Sequence, residues 1–268
     1  MNQDLKQLKT KKLFLLDMDG TLYLDHQLID GTIPFLDTLK KQNKRGIYVT
    51  NNSSKSVIDY VKKLSSLGID STEKDFYTSS MATARYLNEF HFGKTVYCMG
   101  TASLKEELNS KGIKIAKDKD DFVDVVLIGY DTELTSQKLY DVCWLLKQDL
   151  PYIATNPDYV CPVEFGFVPD CGSFADMIYN ATKKRPIFIG KPHPRMIEYA
   201  IEASGYSKKD AVIIGDRLYT DILSGINANI TTICVLSGET TLEDIQQSDI
   251  KPDFILDSIQ TVYDIIKA

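Results

Sequence analysis

The chain predicts an α/β fold, a Rossmann-like doubly wound parallel sheet core with an inserted α/β cap domain, and three observations carry that expectation. Short apolar runs alternate with stretches of helical period along most of the 268 residues, as in a mostly parallel sheet covered by helices. The apolar runs before Asp17, Thr50, Lys191 and Asp216 all end in polar chemistry, and the carboxyl ends of strands are where open α/β sheets bind ligands. These polar ends fall in two blocks, residues 13–53 and 189–221, so a long stretch with its own strands and helices lies between them. A core interrupted by a second α/β unit is the economical arrangement.

The elements follow in order. Leu13–Leu16 is too short for a helix and reads as a buried strand that delivers Asp17 and Asp19. Alternation along a strand would place these two carboxylates on one side. The stretch Thr32–Asn43 carries a helical stripe of Ile33, Phe35, Leu36 and Leu39, and Ile47-Tyr48-Val49 forms the next strand. A helix with Val57, Ile58, Val61, Leu64 and Leu67 follows and is closed by Gly68. Further strands are expected at Thr95–Met99, Val123–Gly129, Tyr152–Thr155, Ile187–Gly190, Ala211–Gly215 and Thr231–Leu236, with helices at Ser136–Leu146 and Pro194–Ala203. The segment Asn156–Ser173 reads as a polar loop, its Asn-Pro and Cys-Pro steps fixing the path. The expected boundaries are residues 1–79 for the first part of the core, 80–185 for the inserted cap and 186–268 for the rest of the core.

Composition excludes several classes. A hydrophobic content of 43% with 25% charged residues describes an ordinary globular protein, and a net charge of −6 disfavours a nucleic-acid partner. No stretch approaches the roughly 20 apolar residues of a membrane span, and the opening MNQDLKQLKTKK lacks the apolar centre of a signal peptide. The five cysteines are widely spread with no CxxC pair, which favours reduced thiols over a disulfide framework or zinc site. A soluble cytoplasmic protein without membrane association is expected.

The polar ends carry the chemistry. Two aspartates spaced as Asp17 and Asp19 cannot both ionise cheaply unless they share a proton or flank a cation. Lys191, set between Gly190 and Pro192, offers an ammonium to a phosphate oxygen, though a surface lysine in a turn fits the same residues. Asp216 is placed to complete a metal site with Asp17, and Asp221 to orient metal-bound waters or the lysine from behind; helix capping alone would explain one such acid. The Thr50-Asn51-Asn52 stretch supplies a hydroxyl and backbone N–H groups at a helix start that can hold phosphate, although taken alone these residues fit a turn with an Asn/Ser cap better.

Together these segments resemble the haloacid dehalogenase superfamily. DMDGT is similar to its first motif, VTNN to its second, GKPHP to its third and GDRLYTD to its fourth, in the right order and each after an expected strand. The insertion after the second motif, with the TNN and GKPHP forms, resembles the NagD-like, 4-nitrophenylphosphatase branch. That resemblance implies an Mg²⁺-dependent phosphatase acting on a small phosphorylated metabolite. Asp17 would be the nucleophile that forms an aspartyl-phosphate, and Asp19 the acid and then the base. Mg²⁺ would be held by Asp17, the Asp19 backbone carbonyl and Asp216, and the phosphoryl group by Thr50, Asn51, Asn52 and Lys191. Asn156, Asp158, Tyr159 and Cys161 are the candidate cap contacts to substrate. Where the branch commonly carries Pro-Gly-x-Gly, this chain reads Pro169-Asp170-Cys171-Gly172. The alternatives are a phosphomutase or a non-catalytic phospho-ligand binding protein on the same scaffold.

Overall fold

The structure is a computed structural model that describes residues 5–163 and 165–267. The chain forms two compact units: one holds the residues up to Thr50, Val61–Tyr77 and those from Lys191 onward, the other Asn51–Tyr60 and Thr78–Gly190.

The first unit is built on a six-stranded sheet. Its order is Phe254–Leu256, Thr231–Val235, Ala211–Gly215, Leu13–Leu16, Arg45–Thr50, Phe76–Thr78. Leu13–Leu16 lies inside the sheet with every residue buried, which is why its sequence is a continuous apolar run instead of an alternating one. It pairs parallel with both neighbours, Leu16 opposite Ile214 on one side and Tyr48 on the other. Parallel strands in this register end together, so the residues just past the ladder, Asp17, Thr50 and Asp216, emerge at one edge. The Asp17 N–H donates to Ile214 O at 2.9 Å and carries the ladder one residue further. The helix Thr32–Lys41 buries Phe35, Leu36 and Leu39, with the Phe35 ring edge-on to Phe14 at 5.8 Å.

The second unit has its own five-stranded sheet, ordered Ile187–Phe188, Tyr152–Ala154, Val125–Ile128, Thr95–Met99, Lys114–Ile115, with parallel pairing throughout. The helices Ser136–Leu146 and Cys171–Thr182 give Val142, Leu145, Leu146, Phe174, Ala175 and Ile178 to its core. Among the described residues no helix is long and apolar enough to cross a membrane.

The expected α/β architecture is present, and two local features differ from the sequence reading. The strands Phe76–Thr78 and Phe254–Leu256 stand at the two ends of the first sheet. Three residues are too few for a periodic signal. The segment expected as a loop after Asn156 instead folds an antiparallel hairpin, Val160–Val163 against Gly166–Pro169, and starts a helix at Cys171. Cys161 and Val168 pack on the core while Val160, Pro162, Phe167 and Pro169 face outward or lie partly open. In a two-stranded ribbon a proline N can face away from the ladder, so Pro162 and Pro169 do not prevent pairing.

Glu107, on the helix Ala102–Ser110, has its Oε2 buried with no hydrogen-bond partner among the described residues. Burial pushes its carboxyl up from 4.5 to about 7, against the opposing effect of Lys111. The folded chain therefore binds this proton more tightly than the unfolded chain, and stability falls as pH rises through that window. Glu107→Gln, a neutral mimic of the protonated acid, should raise the melting temperature by a few degrees at pH 8 and leave it unchanged at pH 4.5. Thermal unfolding at the two pH values checks this; an equal shift at both would refute it.

Candidate active site

The first unit gathers four charged side chains beyond the carboxyl edge of its sheet. Lys191 donates from Nζ to Asp17 Oδ1 at 2.7 Å, to Asp221 Oδ1 at 2.6 Å and to Val49 O at 3.2 Å. Its side chain is 3% exposed, so the ammonium is fixed by partners on three sides with little water about it. Asp216 follows the strand Ala211–Gly215, and its Oδ2 accepts from Glu239 N–H at 2.8 Å. Its other oxygen, Oδ1, is buried with no hydrogen-bond partner among the described residues.

Asp221 reaches the cluster through an uncommon turn. Leu218–Ile222 is a π-helical turn, marked by Ile222 N–H donating to Arg217 O five residues back. Such wide turns recur at functional sites because they redirect a side chain within a helix start. Here the turn brings Asp221 under the Lys191 ammonium, where it is also packed closely on Gly215. The space for Asp216 is equally specific. A Cβ on Gly20 or on Gly238 would collide with its carboxylate, and Gly20 has φ +80°, a conformation side chains disfavour.

Oxygens of Asp17, Asp216 and Asp221 lie within 4.8 Å of one another. The Lys191 ammonium, with the Arg217 guanidinium acting on Asp17 and Asp216, does not offset the burial of three clustered carboxylates. Burial pushes the Asp17 carboxyl well above its ordinary range, Asp221 pushes it further and Lys191 opposes both. Asp216 is pushed up to about 6, by burial first and then by Asp221. Lys191 loses solvation on burial, yet Asp17 and Asp221 hold its pKa above the ordinary value. An all-oxygen donor set, an unpartnered buried oxygen and surplus negative charge fit a hard divalent cation.

Asp19 does not join this cluster. Alternation along a strand does not govern the pair, because the strand ends at Leu16. A tight turn follows, in which Met18 O accepts from the N–H groups of Thr21, Leu22 and Tyr23. The Asp19 side chain is 52% exposed. Its Oδ1 lies 3.4 Å from Lys63 Nζ and its Oδ2 accepts from the Tyr23 hydroxyl at 3.3 Å, while Lys63 stands 4.1 Å over the Tyr23 ring. Sequence reasoning missed Lys63 and Tyr23. Lys63 sits among the polar positions of its helix and looks like any solvated lysine. Thr50 is buried at the end of Arg45–Thr50.

The second unit holds the other expected residues. Asn51 Nδ2 donates to Asp158 Oδ2 at 2.7 Å, and Asn156 Nδ2 donates to the same oxygen at 2.8 Å. Asn52 Nδ2 lies 3.9 Å from Cys161 Sγ, and Asn52 Oδ1 accepts from the backbone and hydroxyl of Ser54. Tyr159 is 60% exposed, whereas Asn156 and Asp158 are buried.

Comparison with known proteins identifies the family. A family profile for haloacid dehalogenase-like hydrolases matches residues 14–114, and a second, for HAD-like hydrolases, matches residues 188–262. An acid sugar phosphatase of Staphylococcus saprophyticus is 36% identical over 255 residues, covering 95% of this chain and 98% of that protein. The crystal structure of a 4-nitrophenylphosphatase from Thermotoga maritima superposes with a TM-score of 0.93 at 39% identity, covering 97% of this chain and 99% of that one. NagD from E. coli gives a TM-score of 0.86 at 31% identity, covering 93% and 97% of the two chains.

Because Gly238 leaves no room for a Cβ beside Asp216, Gly238→Ala should displace that carboxylate. Affinity for a divalent cation should fall about tenfold or more, read by Mn²⁺ titration with electron paramagnetic resonance on the folded variant. Unchanged affinity would show that Asp216 is not a ligand.

Proposed function

The chain belongs to the haloacid dehalogenase-like hydrolases and is a phosphatase of their NagD-like branch, and from that premise we propose that it hydrolyses small phosphomonoesters, sugar phosphates foremost, through an aspartyl-phosphate on Asp17. The acid sugar phosphatases among its relatives support that substrate class. The observation that carries the reading is the Asp17 carboxylate held by Lys191 in a buried cluster. A protein that only bound phosphate would gain nothing from a carboxylate facing it, since like charges repel. A nucleophile needs that placement, with cationic neighbours to lower the repulsion.

In this reading one Asp17 oxygen attacks phosphorus in line. Lys191 and Thr50, with Asn51 and Asn52, hold the phosphoryl oxygens and the charge that develops on them. The ester bond breaks as Asp19 gives its proton to the departing alcohol oxygen. Asp19 then takes a proton from water, which attacks the aspartyl-phosphate and releases inorganic phosphate and the Asp17 carboxylate. Lys63 and Tyr23 hold the Asp19 carboxylate in this structure. Mg²⁺, held by Asp17, Asp216 and the Asp19 backbone carbonyl, would supply charge neutralisation for the incoming phosphate. Asp221 holds the lysine in place.

The inserted segment, residues 80–185, is assigned substrate selection as a cap. Of Asn156, Asp158, Tyr159 and Cys161, the exposed Tyr159 ring is the best suited to meet a leaving group.

Phosphate release from a panel of phosphomonoesters, with Mg²⁺ and with excess chelator, tests the activity. Chelator-sensitive release that peaks on sugar phosphates is expected; no release from any ester by the folded, metal-loaded protein would favour a mutase or a binding protein. Asp17→Asn should lower kcat by about 1,000-fold or more with the fold intact by circular dichroism. Retained activity would sink the aspartyl-phosphate. Asp19→Ala should cost far more on an alkyl ester such as a sugar phosphate than on p-nitrophenyl phosphate, whose leaving group needs little protonation. Equal losses on both would remove Asp19 as the acid.

A further inference from the structure

We propose that Asp158 is a positioning residue, which fixes the Asn51 side chain and, through it, the Thr50-Asn51 peptide that serves the phosphoryl group. The inference rests on the reading above, in which Thr50, Asn51 and Lys191 grip the phosphoryl group. It gives Asp158 a different task from contact with the leaving group.

The chain passes between the two units four times, between Thr50 and Asn51, Tyr60 and Val61, Tyr77 and Thr78, and Gly190 and Lys191. The first and the last of these crossings adjoin residues assigned to phosphate, Thr50-Asn51 and Lys191. At those two crossings the second-unit residues Asn51 and Gly190 lie against each other. Asn51 Nδ2 donates to Asp158 Oδ2 at 2.7 Å, and its backbone carbonyl accepts from Ser79 Oγ at 2.6 Å. Gly190 N–H donates to Thr155 O at 2.8 Å, and a Cβ on Gly190 would lie 2.6 Å from Asn51 Oδ1 and 2.7 Å from Thr155 O. Glycine is needed at 190 because the backbone there lies directly against the Asn51 amide.

Asp158 is itself anchored. Its Oδ2 also accepts from Asn156 Nδ2 at 2.8 Å, and its backbone carbonyl accepts from Gly172 N–H at 2.8 Å. Asn156 is held in turn by the Thr155 hydroxyl and the Asp170 carboxylate, at 2.7 and 3.1 Å. Asn51, Asn156 and Asp158 are all buried, Asp158 to 7% exposure. A buried carboxylate oxygen that accepts two amide donors forms stronger bonds than neutral partners would, and removing it leaves both amides without that acceptor. Asp158 thus sets the direction of the Asn51 side chain and, through it, of the Thr50-Asn51 peptide. With its Nδ2 committed to Asp158, Asn51 would serve the phosphoryl group through its place in the backbone.

The two roles separate on a ligand that has no leaving group. Inorganic phosphate is the probe, its affinity read by calorimetry on the full-length, Mg²⁺-loaded protein and by competitive inhibition of p-nitrophenyl phosphate turnover. Asp158→Ala should weaken phosphate about tenfold and raise KM for the ester in parallel, with a smaller change in kcat. If KM rises while phosphate affinity holds, Asp158 contacts the leaving group and the proposal fails. If the melting temperature falls while phosphate affinity and KM hold, the role is only structural and the proposal fails equally. Should Asp158→Ala not fold, Asp158→Asn keeps the volume and one acceptor for the two donors. Weakening of phosphate by about threefold is then expected, and unchanged affinity overturns the proposal. Turnover that survives Asp17→Asn would remove the aspartyl-phosphate reading by itself, because the calorimetric comparison does not depend on turnover.

Discussion

The Lys191 ammonium, held 2.7 Å from Asp17 and 2.6 Å from Asp221, is the interaction on which the candidate site depends. Lys191 and Asp221 are withdrawn from water and Asp17 is partly so, and a buried ion is tolerable only with well-placed opposite charge and hydrogen bonds. Removing the lysine would leave three clustered carboxylates repelling one another across less than 5 Å. Even with it in place, burial first and the neighbouring Asp221 charge second hold the pKa values of Asp17 and Asp216 above the usual range. The same imbalance gives the site its use, since a shortage of positive charge is what attracts a divalent cation.

The sheet supplies the geometry for that cluster. Parallel strands in matched register deliver Asp17 and Asp216 to one edge, a placement that loops alone would hold less firmly. Close packing does the rest. Gly20 and Gly238 leave room for the Asp216 carboxylate, and the π-helical turn carries Asp221 to the lysine. In the second unit a different economy operates. There, buried amides and carboxylates of Asn51, Asn156, Asp158 and Asp170 satisfy one another through side-chain hydrogen bonds, and a network of that kind specifies one arrangement when its members are paired.

Much of the architecture was legible from the chain. The apolar runs at Leu13–Leu16, Thr95–Met99, Ala211–Gly215 and Thr231–Val235 are strands, as their length and flanks indicate. The helices Ser136–Leu146 and Pro194–Ser204 lie where the apolar period puts them. The short edge strands and the hairpin at 160–169 were not legible. A strand of three residues has no period to detect, and two prolines in a ribbon look like breaks until the partner strand shows which N–H groups the ladder uses.

What the sequence determined by itself was the fold class, the family and the identity of the acids and the lysine, because each ends an apolar run and motif spacing is a local property. Tertiary structure alone decided which of them meet. Asp17 and Asp19 are two residues apart, yet the turn at Met18 sends one into the buried cluster and the other toward Lys63 and Tyr23. Lys191 and Asp17 are 174 residues apart and share a hydrogen bond, and so do Asn51 and Asp158 at a separation of 107. Periodicity and composition carry no information about such pairs. They are set by strand register, by the glycines that admit close approach, and by the requirement that a buried charge find its partner wherever the chain brings one.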